Sequence, residues 1–406
     1  MSRTAALVLT PRLPWPVDDG GRVVAWQNLL AVADDYETTL VSFAPVVGSP
    51  PIPSELRDRN VRVVTVPFAP PPTWLAAVRG LVGRWPYSLA RYRSRAFERA
   101  VRVEIARHRP DFVLVQNLHL ATYVDAFDGV PMVLREQNVE FLLMSRYARD
   151  LGPSPRGLYA LMQAARLRRS EAELCGRAAL VLAIQSEEGR VLRAIAPGAR
   201  VEVLPVGVDF SAFPERRPAS PPIVLLAASF QWPPNVDGAI RFLRDGWPRL
   251  HEAAPRAVLR VAGKAPPPAL QKACAAAGVE LAADVPSMPD EYARASLLLV
   301  PLWVGAGARV KILEALAARL PVVATALAAN GLELEPERHF GTADTPEGLA
   351  DEVASRLADP ARLEALAAEG RALAESRWSV AAVAALQGRH LASVAATNRG
   401  VASASV

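Results

Sequence analysis

Pro301–Thr325 reads PLWVGAGARVKILEALAARLPVVAT, and ten of its residues, from Gly305 to Glu314, hold two glycines, two cations and one carboxylate. The apolar residues before them read as a buried strand. Gly305, Ala306, Gly307 and Ala308 read as a turn, and Arg309 begins a helix whose Ile312, Leu313, Leu316 and Leu320 suit a core face. Two glycines at such a turn let backbone N–H groups approach a ligand. The first amides of a helix lack internal partners and stand at its positive end, which favours an anion, most often phosphate. Arg309 and Lys311 would add charge to that anion site. Glu314 lies too deep in the helix to act as a first-turn carboxylate, and its oxygens can accept hydrogen bonds from sugar hydroxyls. From spacing alone, a plain loop followed by a solvated helix face explains these residues as readily. The GxG is not a dinucleotide fingerprint, because Val310 stands where the third glycine belongs, and no GKS/T follows it.

Four further places carry candidate chemistry. In PVDDGGR (16–22), Gly20 and Gly21 could let a loop close on the donor phosphate or admit an acceptor, with Arg22 as an anion partner on the acceptor side; the plain alternative is a turn with Asp18 or Asp19 as helix N-cap. His119 follows the apolar run DFVLVQN and could orient a hydroxyl or stabilise developing charge. Ser229 ends a strand and Asn235 lies just beyond; either could donate to phosphate, and Asn235 could instead cap the next helix. Glu140 is an acceptor-side candidate or a helix first-turn carboxylate.

The elements that must position these residues alternate. Strands are expected over 5–10, 38–45, 61–67, 111–116, 131–136, 180–185 and 201–205, with helices between them, including 23–33 and roughly 155–178. After a Pro- and Gly-rich linker (207–222) the pattern restarts. Strands are expected over 223–229, 257–263, 279–285, 296–303 and 321–325, and helices over 235–251, 270–278, 309–319, 346–358 and 361–376. The β-branched runs are continuous, as strands buried on both faces require. The fold class is therefore α/β: two Rossmann-like, doubly wound parallel-sheet domains facing a cleft. We expect an N-terminal domain over 1–205, a C-terminal one over 206–378, and a final helix and polar, frayed tail over 379–406, the helix returning toward the first domain.

Composition narrows the classes. The chain has 406 residues, is 51% hydrophobic and carries a net charge of +5, so it is globular and long enough for two or three domains. No apolar run is long enough to span a bilayer. Cys175 and Cys274 have no CxxC spacing, and the five histidines show no ligand pattern, so neither metal nor disulfide is expected. A reducing cytoplasm fits. Three of the 46 basic residues are lysines (Lys264, Lys272 and Lys311), a bias that suggests a GC-rich, bacterial genome. No nucleic-acid-binding pattern is present. Residues 78–109 contain nine arginines and two glutamates with Trp85, Tyr87 and Tyr92. They read either as a peripheral face for anionic membrane or as solvated helices of an arginine-rich chain.

GAGARVKILEALAARLPVVAT resembles the donor-nucleotide motif of family 4-type retaining glycosyltransferases of the GT-B fold. TPRLPWPVDDGGRVVAWQNLLAVA (10–33), REQNVEFLLMSRYA (135–148), LPVGVDFSAF (204–213), SFQWPPNVDGAIRFL (229–243) and NGLELEPERHFGTADTPEGLADEV (330–353) are similar to other segments of that family, in order. The resemblance implies metal-independent transfer of a sugar from a UDP- or GDP-linked donor to a glycan, lipid-linked or small-molecule hydroxyl, with no further cofactor. Glu314 matches the second Glu of the family's E-x7-E pair, which holds the ribose hydroxyls. The first falls on Ala306, which points to a branch whose GxGxRxK turn carries the diphosphate on amides and on Arg309 or Lys311. In the family a histidine equivalent to His119 contacts the donor sugar, and Gln137 stands where many relatives have His. Two rivals share the fold: an epimerase of UDP-amino sugars and a subunit that has lost activity.

Overall fold

The computed structural model describes residues 4–17, 19–214, 216–304 and 310–404. They form two compact units, one of Met1–Val206 with Val383–Val406 and one of Gly207–Ala382.

The first unit is built on strands β1 (Ala5–Thr10), β2 (Glu37–Ala44), β3 (Arg62–Pro67), β4 (Phe112–Gln116), β5 (Met132–Arg135), β6 (Leu180–Ala183) and β7 (Val201–Val203). They lie in the order β3-β2-β1-β4-β5-β6-β7, and every pairing is parallel. The second unit holds β8 (Ile223–Ser229), β9 (Val258–Lys264), β10 (Glu280–Ala283), β11 (Leu297–Val300), β12 (Val322–Ala324) and β13 (Gly341–Thr342). Their order, β10-β9-β8-β11-β12-β13, repeats the first sheet's and is again parallel. Continuous apolar runs become strands with no exposed residue, as in FVLVQ of β4, LVLA of β6 and LLLV of β11. Each sheet carries a hydrophobic cluster on both faces, which is why period-2 alternation is missing from the sequence.

In each unit the first strand is central, and the chain leaves it first to one side and later to the other. The reversal falls between β1 and β4, and between β8 and β11. At such a switch point the loops after the two strands diverge, so a hollow opens beyond their carboxyl ends.

Four expectations are corrected. The helix expected over 235–251 is two, Pro233–Asp245 and Trp247–Ala253, meeting at Gly246; Pro248 cannot continue the first helix's ladder. The strand expected over 296–303 stops at Val300, ahead of Pro301. A short strand, β13, closes the second sheet where no run of apolar residues announces it. The expected frayed tail is helical through Ala404, because its helix packs on the first unit. There Gln387 Nε2 donates to Asn28 O at 2.9 Å, and Asn398 Nδ2 to Asp111 O at 3.1 Å.

Candidate active site

Beyond the switch point of the second unit lies a cavity of about 610 Å³, within the usual range for a small-molecule site. Ala227, Ala228 and Ser229 at the end of β8, Val300 at the end of β11 and Leu302 just beyond it line one side. Gly263 and Lys264 close the side from β9. Gly263 is a glycine by necessity: its φ is +153°, and a Cβ there would stand 1.7 Å from the Ala228 carbonyl oxygen.

The helix Val310–Ala317 supplies the charge. Ile312, Leu313 and Leu316 are buried in the core as expected, which turns Lys311 and Glu314, three residues apart, toward the cavity. Lys311 Nζ donates to Asn235 Oδ1 at 2.9 Å, and Asn235 Nδ2 donates to Ser229 O at 2.8 Å. Asn235 is therefore inside the first turn of its helix, which Trp232 precedes, and is not its N-cap. The Tyr292 hydroxyl donates to Glu314 Oε2 at 2.9 Å. Burial raises the Glu314 carboxyl above its ordinary value, against the opposing pull of Tyr292 and Lys311. Burial and the neighbouring Glu314 charge push the Tyr292 phenol well up, so it remains a donor. Trp232, Val285 and Met288 add apolar wall. Gly305, Ala306, Gly307, Ala308 and Arg309 lie outside the described residues.

The first unit has a smaller counterpart of about 210 Å³ at its own switch point, lined by Arg12 after β1, Asn117 and His119 after β4, and Gly21, Arg22 and Gln137. Asp19 caps the helix Gly20–Asp35, its Oδ1 accepting from Arg22 N at 3.1 Å; Asp18 is outside the described residues. Gly20 begins that helix but does not line the pocket. Asn117 holds a φ of 113°, which few β-carbon-bearing residues tolerate. Its Oδ1 accepts from the His119 backbone N–H at 3.1 Å and meets His119 Nδ1. Burial, with Arg91 nearby, lowers the His119 imidazole to about 4. The ring is then neutral at physiological pH. With Nδ1–H given to Asn117, Nε2 is an acceptor, suited to orienting a hydroxyl rather than to carrying positive charge.

Glu140 sits apart from this pocket. It opens the helix Glu140–Asp150, and Glu171 accepts from the backbone N–H groups of Glu140 and Phe141 at 2.9 and 3.0 Å. Burial raises the Glu140 carboxyl to about 7.

Of the expected site residues, then, Ser229, Asn235, Lys311 and Glu314 share one cavity, and Gly21, Arg22 and His119 share another. Sequence reasoning missed Lys264, Tyr292, Trp232 and Met288. One signal was present for the first: two of the chain's three lysines line the same cavity. Among the described residues no cluster of His, Cys, Asp and Glu is arranged to hold a metal.

Residues 221–359, which run from β8 through β13 and the following helix, match the family model described as Glycosyl transferases group 1. A search of curated proteins finds no match. The GT-B architecture is shared with solved structures along nearly the whole chain. Sucrose-phosphate synthase from Thermosynechococcus elongatus is 14% identical with a TM-score of 0.67, over 97% of this chain and 100% of that one. HepE of Anabaena, in complex with UDP, is 16% identical with a TM-score of 0.61, over 96% and 100%. The α,α-trehalose 6-phosphate synthase of Burkholderia multivorans is 15% identical with a TM-score of 0.61, over 97% and 99%. At such identities the likeness speaks for the fold.

Proposed function

We propose that the protein is a glycosyltransferase that moves a sugar from a nucleotide-diphosphate donor to an acceptor hydroxyl, with retention of configuration. One observation carries this reading: Lys311 and Glu314 project from a single helical turn into the second unit's cavity, each fixed by a neighbour. A cation for diphosphate and a carboxylate for a ribose diol, set one turn apart, match the charge pattern of a nucleoside diphosphate. Tyr292 occupies one oxygen of Glu314, leaving Oε1 for ribose hydroxyls. The apolar wall of Trp232, Val285 and Met288 suits a flat base. Lys311, Lys264 and Arg309 neutralise the diphosphate as it departs. Support also comes from the family match over 221–359, and from HepE, whose structures hold UDP or UDP-glucose. In the retaining reaction the departing phosphate oxygen takes the acceptor's proton while the acceptor oxygen attacks the anomeric carbon on the same face. His119 Nε2 orients a sugar hydroxyl. No further cofactor is needed.

The test is thermal stabilisation and calorimetric binding across UDP, GDP, ADP and TDP and their sugars, followed by product analysis with candidate acceptors. Binding of one nucleotide that Lys311→Ala abolishes, with turnover of its sugar, supports the reading. An isomerised free nucleotide sugar in the absence of acceptor would identify an epimerase, and binding without turnover a subunit that has lost activity.

A further inference from the structure

We propose that the helix Thr73–Val82 seats the N-terminal unit on the surface of an anionic lipid bilayer. The helix is amphipathic, yet its apolar side faces out. Trp74, Val78, Leu81 and Val82 recur at helical spacing on one stripe and are 69%, 51%, 48% and 79% exposed. The opposite side carries the small residues Ala76 and Gly80, which are buried. Gly80 allows the close approach, since a Cβ there would stand 2.6 Å from Tyr87 Cα. The helix Pro155–Arg177 grips the backbone of this segment: Tyr159 Oη donates to Ala77 O at 2.9 Å, Gln163 Nε2 to Gly80 O at 3.0 Å, and an Arg166 Nη to Leu81 O at 3.3 Å. The outward display is thus built in. The gripping helix also exposes Leu158 and Leu161, 70% and 57%.

Charge selects the occupant. At the end of the stripe opens a cavity of about 540 Å³ whose lining includes Arg79, Arg84, Arg93 and Arg95 against one carboxylate, Glu98. Arg93 pairs with Glu98 and Arg84 with Glu173, at 3.1 and 2.6 Å. Arg79 and Arg95 have no carboxylate partner among the described residues. A second copy of the chain on this face would set one arginine cluster against its twin, a like-charge contact that disfavours self-association. An anionic bilayer offers acyl chains for the stripe, phosphates for the arginines and an interface for the indole of Trp74. Ten residues of helix are about 15 Å, too short to span hydrocarbon, so the helix lies in the plane of the interface.

Flotation of the full chain with vesicles decides this. Equimolar phosphatidylcholine–phosphatidylglycerol vesicles are expected to carry the protein and phosphatidylcholine alone is not, with binding lost as salt rises. The double variant Trp74→Ser/Leu81→Ser should lower partitioning roughly tenfold or more, and Arg79→Ser and Arg95→Ser about fivefold each. All these side chains are at the surface, so the variants should keep the parent's thermal midpoint. The proposal is overturned if anionic vesicles bind no better than neutral ones, or if the double variant floats like the parent. It is overturned too if the parent is a dimer that this variant dissociates, since the stripe then serves a second copy.

Discussion

The two units answer the same topology with different pockets. In the C-terminal unit the strand order opens a cavity three times the size of its counterpart, about 610 against 210 Å³, and fixed charges of both signs line it. Lys311 leans on Asn235 and Glu314 on Tyr292, so each charge keeps a face turned to the cavity. In the N-terminal unit the polar groups are spent largely on one another: Asp19 takes Arg12 and the Arg22 amide, Asn117 takes His119, and Gln137 Nε2 donates to Gly21 O at 3.4 Å. One hollow keeps charged groups of both signs on its wall; the other is a loop latch with a neutral imidazole in its lining. A switch point thus provides a place, and the partners of the side chains around it decide what the place can hold.

Breaking the backbone of each pocket should give the largest contrast. Gly263→Ala collides with the Ala228 carbonyl and should cost more than about 3 kcal/mol, read as a fall of roughly 6 °C or more in the thermal midpoint. Gly21→Ala meets first the Gln137 side chain, at 3.1 Å, which can yield, and should cost less than about 1 kcal/mol. Next comes chemistry: Lys311→Ala should lower turnover of the cognate donor roughly a hundredfold or more, and His119→Ala about tenfold; equal losses would erase the distinction drawn between the pockets. Glu314→Gln should weaken nucleotide binding about tenfold by calorimetry and Tyr292→Phe a few-fold, since the phenol only orients the carboxylate. Titration sharpens the same comparison. Nucleotide affinity should fall as pH drops through a value above the ordinary 4.5 of glutamate, because the proposed ribose contact uses the ionised Glu314. His119, neutral above about 4, should leave turnover without an imidazole step near its ordinary 6.5. A further pH effect, read in stability and not in turnover, belongs to Glu140. Its folded value of about 7 lies above its ordinary 4.5, so its contribution to stability is full below 4.5 and is lost as pH rises through 7. Glu140→Gln should flatten that decline in thermal midpoints measured between about pH 5 and pH 8.

The parallel α/β layout was legible because doubly buried strands write continuous apolar runs, and β8 falls on 223–229 as expected. Ends were less legible: Gly246 and Pro248 divide a helix whose apolar period runs on, and β13 is too short to show a pattern. Within the site, Lys311 and Glu314 could be read because they interrupt an apolar helix. Tyr292 could not, since a tyrosine on a short helix has the same look whether its hydroxyl meets solvent or a carboxylate. Lys264 was readable only through scarcity: an arginine-rich chain keeps few ammonium groups, and this one stands at a strand's carboxyl end. The apolar stripe of Thr73–Val82 went unread, and a sequence period in any case says nothing about which way a stripe faces.

The chain enters the second unit at Gly207 and leaves it near Ala382, and the two ends are stitched together there. Val208 N donates to Trp378 O at 2.7 Å, and Val380 N to Val208 O at 3.1 Å. The unit is thereby a closed cassette, one uninterrupted length of gene whose termini emerge side by side. Exchange of such a cassette between chains requires two junctions that lie side by side, so under the proposed function donor preference could be traded by recombination while the rest of the first unit's sequence is left whole.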